Sequence, residues 1–495
     1  MFVNKFQNKS LNVSLIFLAV GVISIYFADL SISTLEPFLE TKKFFTAILD
    51  INLANNKFIV EAVLNTVTIA VIAMFFATIF GFIFAIFFKS LLLRISLAFT
   101  RSIHEIFWAL IFLQIFGLNT LSALLAIIIP YSAILGKVYA EILEENDHFM
   151  SELRGKDKIS YFLYTLVPDA FPHIVSYTLY RFECALRSTA ILGFVGITTL
   201  GYYLSSSFMQ GYYNDVWFML LVFYAIIATI RYWFSKYTFI PVIIFSFFYT
   251  KEWGSFSLDN FIRFMTQDIV PAPFKYDYSY DKVVLWFENL FFDEIVTGVF
   301  NTILVTQISL VFTAIFALVF FPIVSNKFTK IPVVGHLFLV VLRSTPEYIL
   351  AYLFLQLFGP SMLPAVIALM LHNGAIISFL IGKQSNEIEL GLEATHKKVE
   401  LYCFYMIPKL YSQILAFLFY RWEIIMRESA ILGILGVATL GFYIDSAIAE
   451  FKLDKMFLLL LVTALLNIAI DLISKKSRDY LKVDKPSSSC GCSLK

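Results

Sequence analysis

Apolar stretches of about 20 residues, each long enough to cross a hydrocarbon layer roughly 30 Å thick, recur along nearly the whole chain. A backbone in that layer finds no water to bond with, so each stretch must close its own hydrogen bonds as a helix. Of 495 residues, 59% are hydrophobic and 15% charged, a balance that a water-soluble core of this length does not need. The expected spans are 11–32, 58–88, 96–117, 119–143, 170–204, 215–234, 237–250, 287–323, 333–358, 362–384, 410–445 and 456–474. These make about twelve transmembrane helices, and the seventh, short and containing Pro241, is the weakest. Lys5 and Lys9 precede the first stretch without a small-residue cleavage site, so it reads as a retained span.

Charge is informative by placement, because the formal net charge is only +1. Nothing in that balance suggests nucleic acid as a partner. With the N-terminus in the cytoplasm, the inner segments collect Lys89, Arg94, Arg154, Lys156, Lys158 and Lys236. They also collect Lys327, Lys330, Lys397, Lys398, Lys475, Lys476 and Arg478, as the positive-inside rule requires. The expected location is therefore the cytoplasmic (inner) membrane, multi-pass and in contact with lipid, with both termini cytoplasmic. The longest mixed segments, 33–57 and 251–286, fall outside.

The chain repeats itself. Tyr177 to Leu204 reads YTLYRFECALRSTAILGFVGITTLGYYL and Phe417 to Ile444 reads FLFYRWEIIMRESAILGILGVATLGFYI, with 13 identities in 28 ungapped positions at an offset of 240. Upstream, RSIHE at 101–105 answers RSTPE at 343–347, Gln114 answers Gln356, Gly117 answers Gly359, and Asn65-Thr66 answers Asn301-Thr302. Hydrophobicity alone does not align Arg, Glu, Gln and Gly in one order, so duplication and fusion explain the pattern. We expect a first repeat over 1–236, a second over 237–475 and a cytoplasmic tail over 476–495. Six spans per repeat make the halves parallel, and their interface is the natural pathway.

Each repeat carries three charges inside an apolar helix: Arg181, Glu183 and Arg187, then Arg421, Glu423 and Arg427. Such groups are costly at membrane depth and mark candidate pathways. Glu183 with Arg187, and Glu423 with Arg427, have the four-residue spacing that pairs on a helix. Arg181 and Arg421 lie about 160° around the helix from the neighbouring Glu, so each is expected to remain uncompensated. A guanidinium fork suits a phosphonate or phosphate oxyanion, whereas snorkelling to headgroups is the structural alternative. Gly193, Gly196 and Gly201 answer Gly433, Gly436 and Gly441, at spacings that serve close helix packing or a gate.

The stretches SYTLYRFECALRSTAILGFVG at 176–196, YRWEIIMRESAILGILG at 420–436 and HEIFWALIFLQIFGL at 104–118 resemble the permeases of phosphonate-type ABC importers. That resemblance implies an all-α integral membrane protein with a type I-like ABC importer permease fold. It also implies a partner ABC ATPase dimer that holds the ATP and Mg, an extracytoplasmic substrate-binding protein and a small oxyanion substrate. Permeases of this kind carry a cytoplasmic segment, E-A-A, three residues, Gly, nine residues, I-x-L-P, that docks on the ATPase. Degenerate copies stand at about 146–168 and 386–408. In the second, Glu389, Leu390 and Gly391 take the first three places, Thr395 replaces the Gly and Ile407-Pro408 closes it. In the first, Gly155 and Pro168 match, but Phe149, Met150 and Ser151 replace the opening letters and Glu152 follows them.

The chain has no G-x-x-x-x-G-K-[ST] phosphate loop, so no ATPase activity of its own and no resident cofactor are expected. Cys490 and Cys492 in the tail lack a second pair or a His that would make a metal site, and none is assigned. Two rivals remain. An ion-coupled secondary transporter of a small anion needs a titrating carboxylate free of Arg. A membrane-embedded enzyme would rely on His104 with Glu105 or His372 with Asn373, which match no H-E-x-x-H spacing and read as packing contacts.

Overall fold

The computed structural model describes residues 2–34, 36–51, 56–149, 158–235, 237–250, 253–275, 279–389 and 398–481. They are helical, with no strand among them. The helices of ten residues or more are α1 (Phe2–Phe27), α2 (Pro37–Thr46), α3 (Asn56–Ile86), α4 (Leu91–Ser102), α5 (Glu105–Phe116), α6 (Thr120–Phe149), α7 (Val167–Leu192), α8 (Leu200–Met209) and α9 (Tyr213–Trp233). The series then continues as α10 (Phe239–Tyr249), α11 (Tyr280–Asn289), α12 (Thr297–Phe320), α13 (Pro332–Ser344), α14 (Glu347–Phe358), α15 (Met362–Glu387), α16 (Ile407–Ile431), α17 (Leu440–Ala449) and α18 (Leu453–Leu481). Large apolar side chains such as Ile16, Val22, Phe80 and Leu465 point outward, the surface that a lipid solvent requires.

Among the described residues, eight helical segments are long and apolar enough to cross a membrane, and eleven if each of three bent helix pairs is one span. The expected spans 96–117 and 333–358 are not straight: α4 meets α5 at 92° and α13 meets α14 at 90°. In the first corner Ile103 is extended and His104 caps α5, its Nδ1 accepting the Ile106 N–H at 3.3 Å. In the second, Pro346 forces Thr345 out of the helical region, with ψ at 122°. Different residues thus build the same right angle. The expected seventh span is α10, whose 11 residues reach only about 16 Å, half of a hydrocarbon core.

The expected spans 170–204 and 410–445 each break after the long helix. A 3₁₀ turn follows α7 and α16, then Gly196 and Gly436 take φ of 104° and 88°, which a side chain would resist. The chain next folds back as α8 or α17. A Cβ at Gly201 would stand 1.7 Å from the Ala190 carbonyl oxygen, and one at Gly433 would stand 2.1 Å from the Phe442 nitrogen. Glycine is therefore what lets these backbones touch.

The repeated Asn-Thr pair fastens that return. In the first half, Asn65 Nδ2 donates to the Thr198 carbonyl at 2.9 Å, and Thr66 Oγ1 accepts the Leu200 N–H at 2.9 Å. In the second, Asn301 Nδ2 donates to the Ala438 carbonyl at 2.7 Å and Thr302 Oγ1 accepts the Leu440 N–H at 3.0 Å. Both threonines satisfy the first free N–H of a short buried helix.

The chain forms two compact units. One comprises the described residues of Lys43–Asp268 and the other those of Met1–Lys42 with Ile269–Ser488. The 236/237 boundary concerns sequence similarity; packing follows a different division, because α1 lies with the second repeat's helices and α10 with the first's. In the second unit, Phe17 of α1 meets Phe419 and Trp422 edge-on at 5.3 and 4.9 Å, and Ser14 and Tyr411 hydroxyls are 2.5 Å apart. The Met362 N–H then donates to the Asp29 carbonyl at 2.9 Å. In the first unit, Phe247 of α10 packs edge-on against Phe75 and Phe76 of α3, and the Leu121 N–H donates to the Trp253 carbonyl at 2.8 Å. Each leading helix is thus followed by a strap over the turn between two other helices.

Candidate functional site

Each unit holds a buried polar cluster where the right-angle corner meets two long helices. In the first unit the members come from the corner, α6 and α7. Glu105 opens α5, where a carboxylate complements the helix dipole. Its Oε1 accepts from Ser188 Oγ at 2.5 Å, and Ser188 lies 2.9 Å from Tyr131 Oη. Its Oε2 is 3.3 Å from His104 Nε2. Because His104 Nδ1 accepts a backbone N–H, the ring proton is on Nε2 and points to Glu105. The donors and acceptors match with one carboxylate.

In the second unit the corresponding places are filled differently. Glu347 opens α14, but Pro346 stands where His104 stood, and the imidazole comes from His372 on α15. Asn373 takes the place of Tyr131, and Glu428 the place of Ser188. Asn373 Nδ2 donates to Glu428 Oε2 at 3.0 Å, and Arg421 Nη1 reaches Asn373 Oδ1 at 3.4 Å. Glu347, His372, Asn373 and Glu428 are all under a tenth exposed. Two carboxylates now share the space that one occupied in the first unit.

The charges singled out in sequence sit on the faces of α7 and α16. Arg187 Nη2 is 3.8 Å from Glu183 Oε1, as the four-residue spacing predicts. Arg181, expected to be left over, has partners instead: its Nε donates to Tyr177 Oη at 2.8 Å, and its guanidinium carbon lies 5.2 and 5.5 Å from the centres of the Tyr177 and Tyr180 rings. Those aromatic faces, one and four residues back, supply the negative potential that the carboxylate cannot reach. Arg421 has the Asn373 amide. Glu423 and Arg427 are half-buried on α16.

Of the residues assigned to ATPase coupling, Glu152, Gly155 and Thr395 lie outside the described residues. Pro168 and Pro408 are the second residues of α7 and α16, which directly follow π-helical turns at Phe162–Leu166 and Leu401–Met406. The Glu389 carbonyl accepts from Tyr405 Oη at 3.0 Å. Nearby, Lys327 Nζ donates to the Ile388 carbonyl and Lys398 Nζ to the Phe328 carbonyl, so the loop after α12 is tied to both ends of this segment.

The two buried clusters were not assembled from sequence. Glu105 and Glu347 are visible as matched letters, while His104 and His372 read in sequence as packing residues. Glu428, standing against Ser188 inside a well-matched stretch, was the signal available. Only the fold brings α14, α15 and α16 to one point.

No family model matches the chain, and no solved structure matches it. Curated proteins do. The phosphate-import permease protein PhnE of Mycolicibacterium smegmatis is 22% identical over 418 residues, 78% of this chain and 77% of that protein. The putative phosphite transport system permease protein HtxC of Stutzerimonas stutzeri is 30% identical over 149 residues, 28% of this chain and 53% of its own length. The putative cryptic phosphonate transport system permease protein PhnE2 of Escherichia coli K12 is 33% identical over 81 residues, 16% of this chain and 66% of that protein. With its apolar helices and its repeated motifs, the chain is similar to permease proteins named for phosphate, phosphite and phosphonate transport.

Proposed function

We propose that this protein is the fused, membrane-spanning part of an ATP-driven importer that moves a phosphonate, phosphite or phosphate-like oxyanion inward by alternating access. The observation that carries the reading is the duplication itself. Two related sets of helices, each bearing an Arg-Glu-Arg helix followed by a glycine turn, stand in one chain whose relatives are named as oxyanion permeases. Fusion raises the effective concentration of one half for the other and lets two unlike halves diverge.

In this reading there are twelve spans as two parallel six-span repeats, with α10 as the short seventh and both termini cytoplasmic. Segments 146–168 and 386–408 dock on a separate ATPase dimer that carries ATP and Mg. A binding protein delivers the anion from outside, and Arg181 and Arg421 offer it guanidinium charge. The ion-coupled alternative draws support from one observation, the gathering of two buried carboxylates, Glu347 and Glu428, in one cluster.

The test is reconstitution of the chain with its ATPase and binding protein in vesicles, measuring ATP hydrolysis and uptake with phosphonate, phosphite and phosphate. Stimulation by one of these anions, and a loss of about tenfold or more in uptake for Arg181→Gln or Arg421→Gln, a fold that corresponds to about 1.4 kcal/mol, is expected. Uptake driven by an ion gradient without ATPase would establish the rival. Unchanged uptake and affinity in both variants would remove the two arginines from the pathway.

A further inference from the structure

We infer that the buried cluster of the second unit is a divalent metal site, with Glu347, His372 and Glu428 as ligands to an ion of the zinc class. One ligand atom from each of the three lies within 4.8 Å of the other two, and all three residues are buried. They come from three helices, α14, α15 and α16, so an ion here would join elements far apart in sequence.

The protonation of His372 carries the argument beyond a group of acidic residues. Its Nδ1 is 2.9 Å from the Thr345 carbonyl, which can only accept, so the ring proton sits on Nδ1. Nε2 then faces Glu347 Oε2 at 3.7 Å, and a carboxylate opposite that nitrogen calls for a positive species between them, a second ring proton or a metal ion. The distance suits one: two ligand atoms on bonds of about 2.1 Å at the tetrahedral angle stand about 3.4 Å apart. A metal-bound imidazole whose other nitrogen donates to a backbone carbonyl is the usual outer arrangement of such sites.

The first unit supplies the control. There His104 has the opposite tautomer, with Nδ1 accepting and Nε2–H directed at Glu105, and Ser188 stands in place of the second carboxylate. That cluster is complete without an added cation. Replacing Ser188 by Glu428 adds a negative charge, and moving the imidazole to α15 reverses its proton. Both changes favour a cation, and two carboxylates neutralise a divalent one. Asn373 orients Glu428 through its Nδ2 while Arg421 holds its Oδ1, so the carboxylate has an outer partner of its own. One imidazole and two carboxylates suit zinc or manganese over copper(I) or calcium.

The experiment loads the purified full chain, in a Cys490→Ser, Cys492→Ser background that removes the tail thiols, with Zn2+, desalts it and measures metal per chain by mass spectrometry. The expected result is about one zinc per chain, falling below about a tenth in Glu347→Gln and in Glu428→Gln and unchanged in Glu105→Gln. Asn373→Ala, which keeps all three ligands, should weaken zinc binding by about 10- to 100-fold. Zinc-free wild type after loading overturns the site whatever the variants do, and so does zinc retained in both Gln variants. Either result would leave a shared proton as the positive species.

Discussion

Replacing Gly201 by alanine adds one methyl group where two backbones meet. The new Cβ would lie 1.7 Å from the Ala190 oxygen and 2.7 Å from its carbonyl carbon, against 3.4–4 Å for ordinary contact. Start with the oxygen: 3.4 minus 1.7 leaves about 1.7 Å that α8 must retreat from α7. Neither neighbour is a flexible side chain, so the cost falls at the upper end of the overpacking range, about 3 kcal/mol. The retreat also pulls the Leu200 N–H off Thr66 Oγ1, worth about 1 kcal/mol more. For a unit of roughly this size each kcal/mol lowers the melting temperature by about 2–4 °C, so Gly201→Ala should melt about 8–16 °C below wild type. The assay is thermal unfolding of the detergent-purified chain, followed by tryptophan fluorescence. Gly117→Ala is the control, because its Cβ meets nothing within 4 Å and only the positive φ of 79° resists it. Gly117 has ψ of −177°, a region essentially confined to glycine, and that strain is about 1–3 kcal/mol, still below the Gly201 effect. If Gly201→Ala melts within about 2 °C of wild type, or above Gly117→Ala, steric contact is not what selects glycine there.

Thr302→Val and Thr66→Val should each cost about 1–3 kcal/mol by stranding the Leu440 or Leu200 N–H, while Thr302→Ser keeps the acceptor and loses less than half as much. The same melts measure both, and the two Val effects should add, since the bonds lie in separate compact units. Asp454 Oδ2 accepts the Ala272 N–H at 2.8 Å and is 6% exposed, so Asp454→Ala should cost about 1–2 kcal/mol. It should also speed proteolysis near residue 272, read by mass spectrometry of the fragments.

Much of this protein was legible before any fold was known. In lipid every backbone group must be satisfied within its own helix, so apolar length alone marks α1, α3, α6, α9, α12, α15 and α18. Duplication shows in letters that hydrophobicity cannot dictate, and the Asn-Thr pairs and glycines marked the joints that close both glycine turns. The Glu183–Arg187 contact also follows from spacing, because it is local to one helix.

What sequence could not show is whatever depends on which helices meet. The right angles at 103–104 and 345–346 fall on the polar motifs RSIHE and RSTPE, so the sequence marks where the helices break, but the angle depends on how the flanking helices pack. Assignment of α1 to the second unit and α10 to the first turns on packing, to which the order of segments is indifferent. His372 and Glu428 are 56 positions apart in the chain and Glu347 a further 25 upstream of His372, so no local pattern announces their meeting. Their chemistry was present in the sequence as three isolated polar residues, and tertiary packing made it one site, because burial and distance, unlike composition, are properties of the assembled helices.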